Sequence, residues 1–101
     1  MPFVRVANLS EVPVGKMKEV ELGSIAIALC NNDGNICAID GTCPHAGGPL
    51  ASGALHDGVA VCPWHAWGFD TRTGNSDFNS GITIPVYKVE VRGDEIFVDI
   101  R

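Results

Sequence analysis

The stretch that decides the fold runs from residue 41 to residue 70, GTCPHAGGPLASGALHDGVAVCPWHAWGFD. It holds two short loops that look alike, Cys43-Pro44-His45 and Cys62-Pro63-Trp64-His65. Each pairs a thiol with an imidazole. Residues 46 to 61, sixteen in all, separate His45 from Cys62. Within that gap, residues 54–55 and 59–61 are apolar and flank His56-Asp57-Gly58, a hairpin signal. The chain can therefore leave one loop and return beside it as the other. That gathers four soft or borderline donors around one site. A structural zinc site is one chemistry open to a Cys2His2 set. Zinc modules ordinarily keep their cysteines in one pair and their histidines in another, whereas here each half supplies one of each.

Outward from this stretch the chain reads as short strands. Residues 3–7 and 16–22 alternate polar and apolar side chains, as half-buried strands do. Between them, residues 8–15 carry turn chemistry, with Ser10-Glu11 able to start one short helical turn. Residues 24–30 and 35–40 flank Asn31-Asn32-Asp33-Gly34, another hairpin signal. The loop CPWHAWG has no periodicity, residues 70–74 form a turn and residues 75–81 are polar. Alternation returns at residues 84–91, and Arg92-Gly93-Asp94-Glu95 turns the chain into residues 96–100. The expectation is an all-β protein with a single domain over residues 1–101. Its base of antiparallel strands, a sandwich or open barrel, comes from both ends of the chain. A small lobe at about residues 41–82 is inserted between them.

Composition narrows the function. The 101 residues make one domain, and 46% of them are hydrophobic, which suits a packed core. Seven basic against twelve acidic residues leave a net charge of −5. That balance argues against nucleic acid, whose phosphates call for Lys and Arg. It suits docking on a more basic partner. The start, MPFVRVANLSEVPVG, lacks a basic region followed by a long apolar one. The longest apolar run, residues 25–30, is far short of the roughly 20 residues that cross a bilayer. A cytoplasmic protein without membrane contact is expected. In that compartment four cysteines do not read first as a disulfide scaffold, and the two followed by a histidine at ligand spacing point to metal binding. Cys30 and Cys37, on either side of the first hairpin turn, are expected to be free, small and buried. His56 reads as an exposed turn residue.

The two ligand loops, together with Gly47-Gly48, Pro49-Leu50, Asp57-Gly58, Gly68-Phe69-Asp70 and Thr73-Gly74, resemble the Rieske iron–sulfur family. The resemblance implies the Rieske-type β-fold and one [2Fe–2S] cluster. Cys43 and Cys62 would ligate one iron, and His45 and His65 the other. Gly47 and Gly48 would let backbone amides approach the bridging sulfides, and Pro44 and Pro63 would stiffen the loops. Pro44, Ala46, Pro63 and Trp64 would frame the outward edges of the two histidines. For Trp64, packing against the opposite loop is an equal alternative. Respiratory-type members carry a disulfide where this chain has Gly48 and Trp64. High-potential members carry Ser and Tyr donors where it has Trp67 and Phe69. Both absences imply a potential at the low end of the range, on the order of −150 mV.

The resemblance further implies an electron carrier and not an enzyme. No nucleophile–base pair, phosphate-binding loop or mononuclear iron triad is seen. Its partners would be a flavin-dependent reductase and a terminal oxygenase acting on aromatic rings, with the carrier a monomer. The alternative is the small subunit of an NAD(P)H-dependent nitrite reductase, whose partner is the large subunit. A reading of another class is a non-redox zinc module.

Overall fold

The computed structural model describes residues 3–44, 47–64, 67–77 and 81–99. In chain order the strands are β1 (Phe3–Asn8), β2 (Met17–Leu22), β3 (Ile25–Asn32) and β4 (Asn35–Asp40). They are followed by β5 (Ala54–His56), β6 (Val59–Val61), β7 (Gly68–Asp70), β8 (Val86–Arg92) and β9 (Glu95–Asp99). Two short 3₁₀ turns, Leu9–Glu11 and Leu50–Ser52, complete the regular structure among the described residues. The first lies where Ser10-Glu11 predicts a helical turn, and Glu11 stabilises it by accepting from the Asn8 amide at 2.8 Å.

The strands form two antiparallel sheets. The larger has the order β1-β9-β8-β4-β3-β2, and the smaller has the order β5-β6-β7. β1 returns against β2, so the large sheet nearly closes. Strands from both chain ends thus build the base, and β5–β7 form the inserted lobe, as the hydrophobic pattern predicts. Two hairpins have two-residue turns with positive φ at both positions. Asp33 and Gly34 stand at 52° and 97°, and Asp57 and Gly58 at 51° and 79°. Aspartate tolerates this region and glycine enters it freely, so Asp-Gly fixes both registers.

β3 is the strand on which everything rests. Ile27 and Leu29 point into the base, where they pack with Ala7, Val12, Val20, Ala38, Ile96 and Val98. Ala28 and Cys30 point the other way, into a second apolar cluster with Ile39, Leu50, Ala60, Phe69 and Ile84. Cys43 and Cys62 belong to that second cluster. A strand buried on both faces reads as a continuous apolar run, which explains why residues 25–30 do not alternate. Each large side chain buried here contributes about 1.5–3 kcal/mol.

Three local details depart from the sequence reading. β3 continues through Asn31 and Asn32, because the turn needs only Asp33 and Gly34. Buried Asn31 remains satisfied there: Nδ2 donates to the Val12 carbonyl at 2.7 Å and Oδ1 accepts from the Gly34 amide at 2.7 Å. β8 starts at Val86 and not at residue 84, since Ile84 and Pro85 are occupied elsewhere. The Ile84 amide bonds Gly74, and the Pro85 carbonyl accepts from Asp40. Finally, Gly68–Asp70 is a strand, although it follows a loop and is too short to show a period.

Candidate metal centre

The lobe stands on the outward face of β3 and β4 and is fastened at both ends. Where the chain leaves β4, the Gly41 amide donates to the Ala26 carbonyl at 2.8 Å and the Leu50 amide to the Gly41 carbonyl at 2.9 Å. At the other end, Asn32 Nδ2 donates to Thr71 Oγ1 at 2.7 Å. That hydroxyl donates in turn to the Gly58 carbonyl at 2.8 Å. Thr71, at the middle of this polar chain from base to lobe, is fully buried. Sequence reasoning passed over Asn32 and Thr71, because each sits in a turn motif that hides a partner 39 positions away.

The two ligand loops are built alike. The Cys43 amide donates to the Gly48 carbonyl at 2.8 Å, and the Cys62 amide donates to the Trp67 carbonyl at 2.7 Å. Each cysteine therefore closes its own loop on the fifth residue after it. The first loop is tightened by a second bond, from the Gly47 amide to the Cys43 carbonyl at 2.8 Å, with Gly47 at φ +74°. The exit of the second loop is held by Asp77. Its Oδ1 accepts from the Gly68 amide at 3.1 Å, and its own amide donates to the Gly68 carbonyl at 2.9 Å. Asp77 lies in the polar stretch that the sequence offers only as a loop.

Cys43 and Cys62 are 1% and 2% exposed, and neither is in a disulfide. The structure thus brings two of the four expected ligands together in one apolar cluster. His45, Ala46 and His65 lie outside the described residues. Of the expected surroundings, Pro44 and Gly47 are exposed, Gly48 is buried and Trp67 is half-buried. Pro63 and Trp64 stand out at the tip of the second loop. The donor set fits a thiolate-bound metal group. Both thiols belong to the same buried cluster, and a Cβ at Gly48 would stand 3.1 Å from Cys62 Sγ, a tight contact.

The remaining cysteines are directly opposed, Cys30 on β3 facing Cys37 on β4. Both are free thiols, as expected. Burial pushes the Cys30 thiol up to about 12, with Cys37 opposite as the second cause. Cys37 is less buried and accepts from Asn32 Nδ2 at 3.4 Å. His56 is exposed in the β5–β6 turn beside Asp57, at 3.9 Å, away from the ligand loops. A cleft of about 640 Å³ separates that turn from the β3–β4 turn, with Asn32, Cys37 and Arg72 among its lining residues. Among the described residues, none from the ligand loops lines it.

An all-β base carrying a small lobe with two paired Cys-His loops defines the class of protein. The family model for the Rieske [2Fe-2S] domain matches residues 2–88. The chain belongs to the Rieske [2Fe-2S] domain family, and a Rieske [2Fe–2S] cluster is its cofactor.

Among curated relatives, the chain is 30% identical over 102 residues to the ferredoxin component of biphenyl 2,3-dioxygenase from Rhodococcus jostii. That alignment covers 100% of this chain and 95% of the relative. It is 33% identical over 94 residues to human apoptosis-inducing factor 3, where 92% of this chain spans only 16% of the longer protein. Among solved structures, the ferredoxin of carbazole 1,9a-dioxygenase from Nocardioides aromaticivorans superposes with a TM-score of 0.92. It is 28% identical, and all of both chains is covered. A putative NADH-dependent nitrite reductase small subunit from Mycobacterium tuberculosis has a TM-score of 0.86 over 95% of this chain and 92% of its own. At 20% identity that is a likeness of fold. Among the described residues, no helix is long and apolar enough to cross a membrane.

Proposed function

We propose that this protein is the one-electron carrier of a ring-hydroxylating dioxygenase system, with Cys43, His45, Cys62 and His65 holding its [2Fe–2S] cluster. The observation that carries this reading is the pair of buried cysteines outside any disulfide, Cys43 and Cys62, presented by two loops of the same closed form. When bound, the cluster supplies a single-electron couple.

The chain's own residues supply the rest. A metal is ligated by thiolate and not by thiol, so binding at Cys43 and Cys62 releases protons. Leu50, Ala60 and Phe69, all fully buried, exclude water from beneath the loops. Phe69 offers no hydroxyl to a reduced centre, which keeps the potential low. Pro63 and Trp64 present an apolar rim that suits brief, weak docking. The net charge of −5 favours partners with basic faces.

The donor in this reading is a flavin-dependent reductase and the acceptor a terminal oxygenase acting on aromatic rings. The carrier is a cytoplasmic monomer, one domain over residues 1–101. The likeness to dioxygenase ferredoxins over nearly their whole length supports this assignment. Reconstitution tests it: NADH, a flavin reductase, the purified carrier and an aromatic-ring oxygenase are combined. Carrier-dependent formation of hydroxylated product is expected. Product formation that ignores the carrier, or its co-purification with a large nitrite reductase subunit, would overturn the assignment.

A further inference from the structure

A side chain at Gly48 would be tightly pressed. An ideal Cβ placed there would stand 3.0 Å from Trp64 Cδ2, 3.2 Å from Trp64 Cγ and 3.1 Å from Cys62 Sγ. The backbone of the first ligand loop therefore lies directly on the indole and the thiol of the second. This glycine is favoured by closeness of approach and not by a left-handed φ, which belongs to its neighbour Gly47.

The indole is an unusual packing element. Trp64 is 55% exposed, so it is no core residue. Large apolar side chains left half in water are either docking surface or covers over something beneath them. Here something lies beneath. Each loop is already closed on itself, by Cys43 to Gly48 and by Cys62 to Trp67. Those bonds fix the shape of each loop, and neither of them crosses from one loop to the other. The contact of Trp64 with Gly48 does cross, at the residue whose carbonyl anchors the Cys43 amide.

We propose that Trp64 is a strap. Its indole, packed on the bare backbone of Gly48, holds the first ligand loop against the second and limits how often the loops part to release what they bind. Trp64 acts through position, on the spacing of Cys43 and Cys62, and touches no reacting atom in this role. The proposal rests on reading these loops as the cluster ligands. If the parent protein purifies without iron, that reading fails and the strap is not what failed.

The test uses the iron-loaded protein, with visible absorbance followed in excess bathophenanthroline disulfonate. Trp64→Ala is expected to speed loss of the chromophore on the order of tenfold, since removing the ring takes away its packed apolar area and frees the loop. Trp64→Phe, which restores a flat ring over Gly48, should recover most of the parent rate. Gly48→Ala should also speed loss although Trp64 is intact, because its methyl group presses on the indole and on Cys62 Sγ and displaces the ring from the loop. Amide hydrogen exchange gives a second readout. The Cys43 amide should exchange faster in Trp64→Ala, while the Leu29 amide in the base stays as in the parent.

If Trp64→Ala fails to load, the Phe and Gly48→Ala variants decide by the same rates. The strap is overturned if Trp64→Ala releases iron within twofold of the parent. It is equally overturned if Trp64→Phe is as fast as Trp64→Ala, or if the Trp64 variants weaken partner binding while release and exchange stay unchanged. The last result would make Trp64 docking surface only.

Discussion

Replacing Thr71 by valine removes one oxygen and keeps the shape of the side chain. Thr71 is fully buried, and its Oγ1 accepts from Asn32 Nδ2 at 2.7 Å and donates to the Gly58 carbonyl at 2.8 Å. Gly58 is not orphaned by the change, because the Thr71 amide still donates to it at 2.9 Å. The loss falls on Asn32, whose Nδ2 keeps only the Cys37 sulfur at 3.4 Å. A neutral hydrogen bond contributes about 1 kcal/mol, and a stranded buried donor costs about 1–3 kcal/mol. Asn32 is partly exposed, so its share falls at the low end and the sum is about 2 kcal/mol. For a domain of this size that lowers the thermal midpoint by about 8–16 °C. Circular dichroism melts of Thr71→Val, Asn32→Ala and the double variant measure it. Both single changes break the same bond, so the double variant should lose far less than their sum. A Thr71→Val protein within about 0.5 kcal/mol of the parent, the ordinary range for an inert substitution, would refute the latch. Full additivity would refute it as well.

Three further outcomes follow from the same structure. Protein-film voltammetry should give a potential on the order of −150 mV. Phe69→Tyr should raise it by about 60–130 mV if the new hydroxyl donates to the reduced centre, the equivalent of about 1.5–3 kcal/mol; a parent value above zero contradicts the low-potential reading. The Cys30 thiol is raised by burial from 9.0 to about 12, so its contribution to stability is whole below pH 9 and is lost as pH climbs toward 12. That span corresponds to roughly 4 kcal/mol. Urea unfolding at pH 8 and pH 10.5 should therefore show a steeper alkaline loss in the parent than in Cys30→Ala, and equal slopes would discount the buried thiol. Stripping the metal should leave amide protection in β3 and β9 intact while protection across residues 41–77 collapses. Uniform protection, or uniform loss, would show that the lobe does not depend on its ligands.

Much of the fold was legible because the strands obey simple patterns. The two Asp-Gly turns mark their hairpins unambiguously, and the alternation of residues 16–22 and 96–100 places β2 and β9 to within a residue. The apolar run at residues 25–30 announces a strand buried on both faces, without saying what lies on the second face. What could not be read is what depends on distant pairing. β7 is three residues long and exists because β6 offers it a ladder. The Asn32–Thr71 latch joins two turns that each look complete alone. For the site, ligand spacing brought out Cys43 and Cys62, while the reason for Gly48 was visible only in three dimensions. A Gly-Gly pair suggests backbone freedom. The structure shows that one of the two serves φ and the other serves close contact with Trp64.

The central claim is that two thiolates and two imidazoles of this chain hold a [2Fe–2S] cluster. Electron–nuclear double resonance on protein purified without added metal and reduced with dithionite tests it most directly, alongside iron and sulfide analysis. The account predicts two irons and two labile sulfides per chain, with a paramagnetic signal coupled to two nitrogen ligands. Those couplings should be lost one at a time in His45→Cys and His65→Cys. A colourless protein with one zinc per chain, or an iron centre without nitrogen coupling, would contradict it.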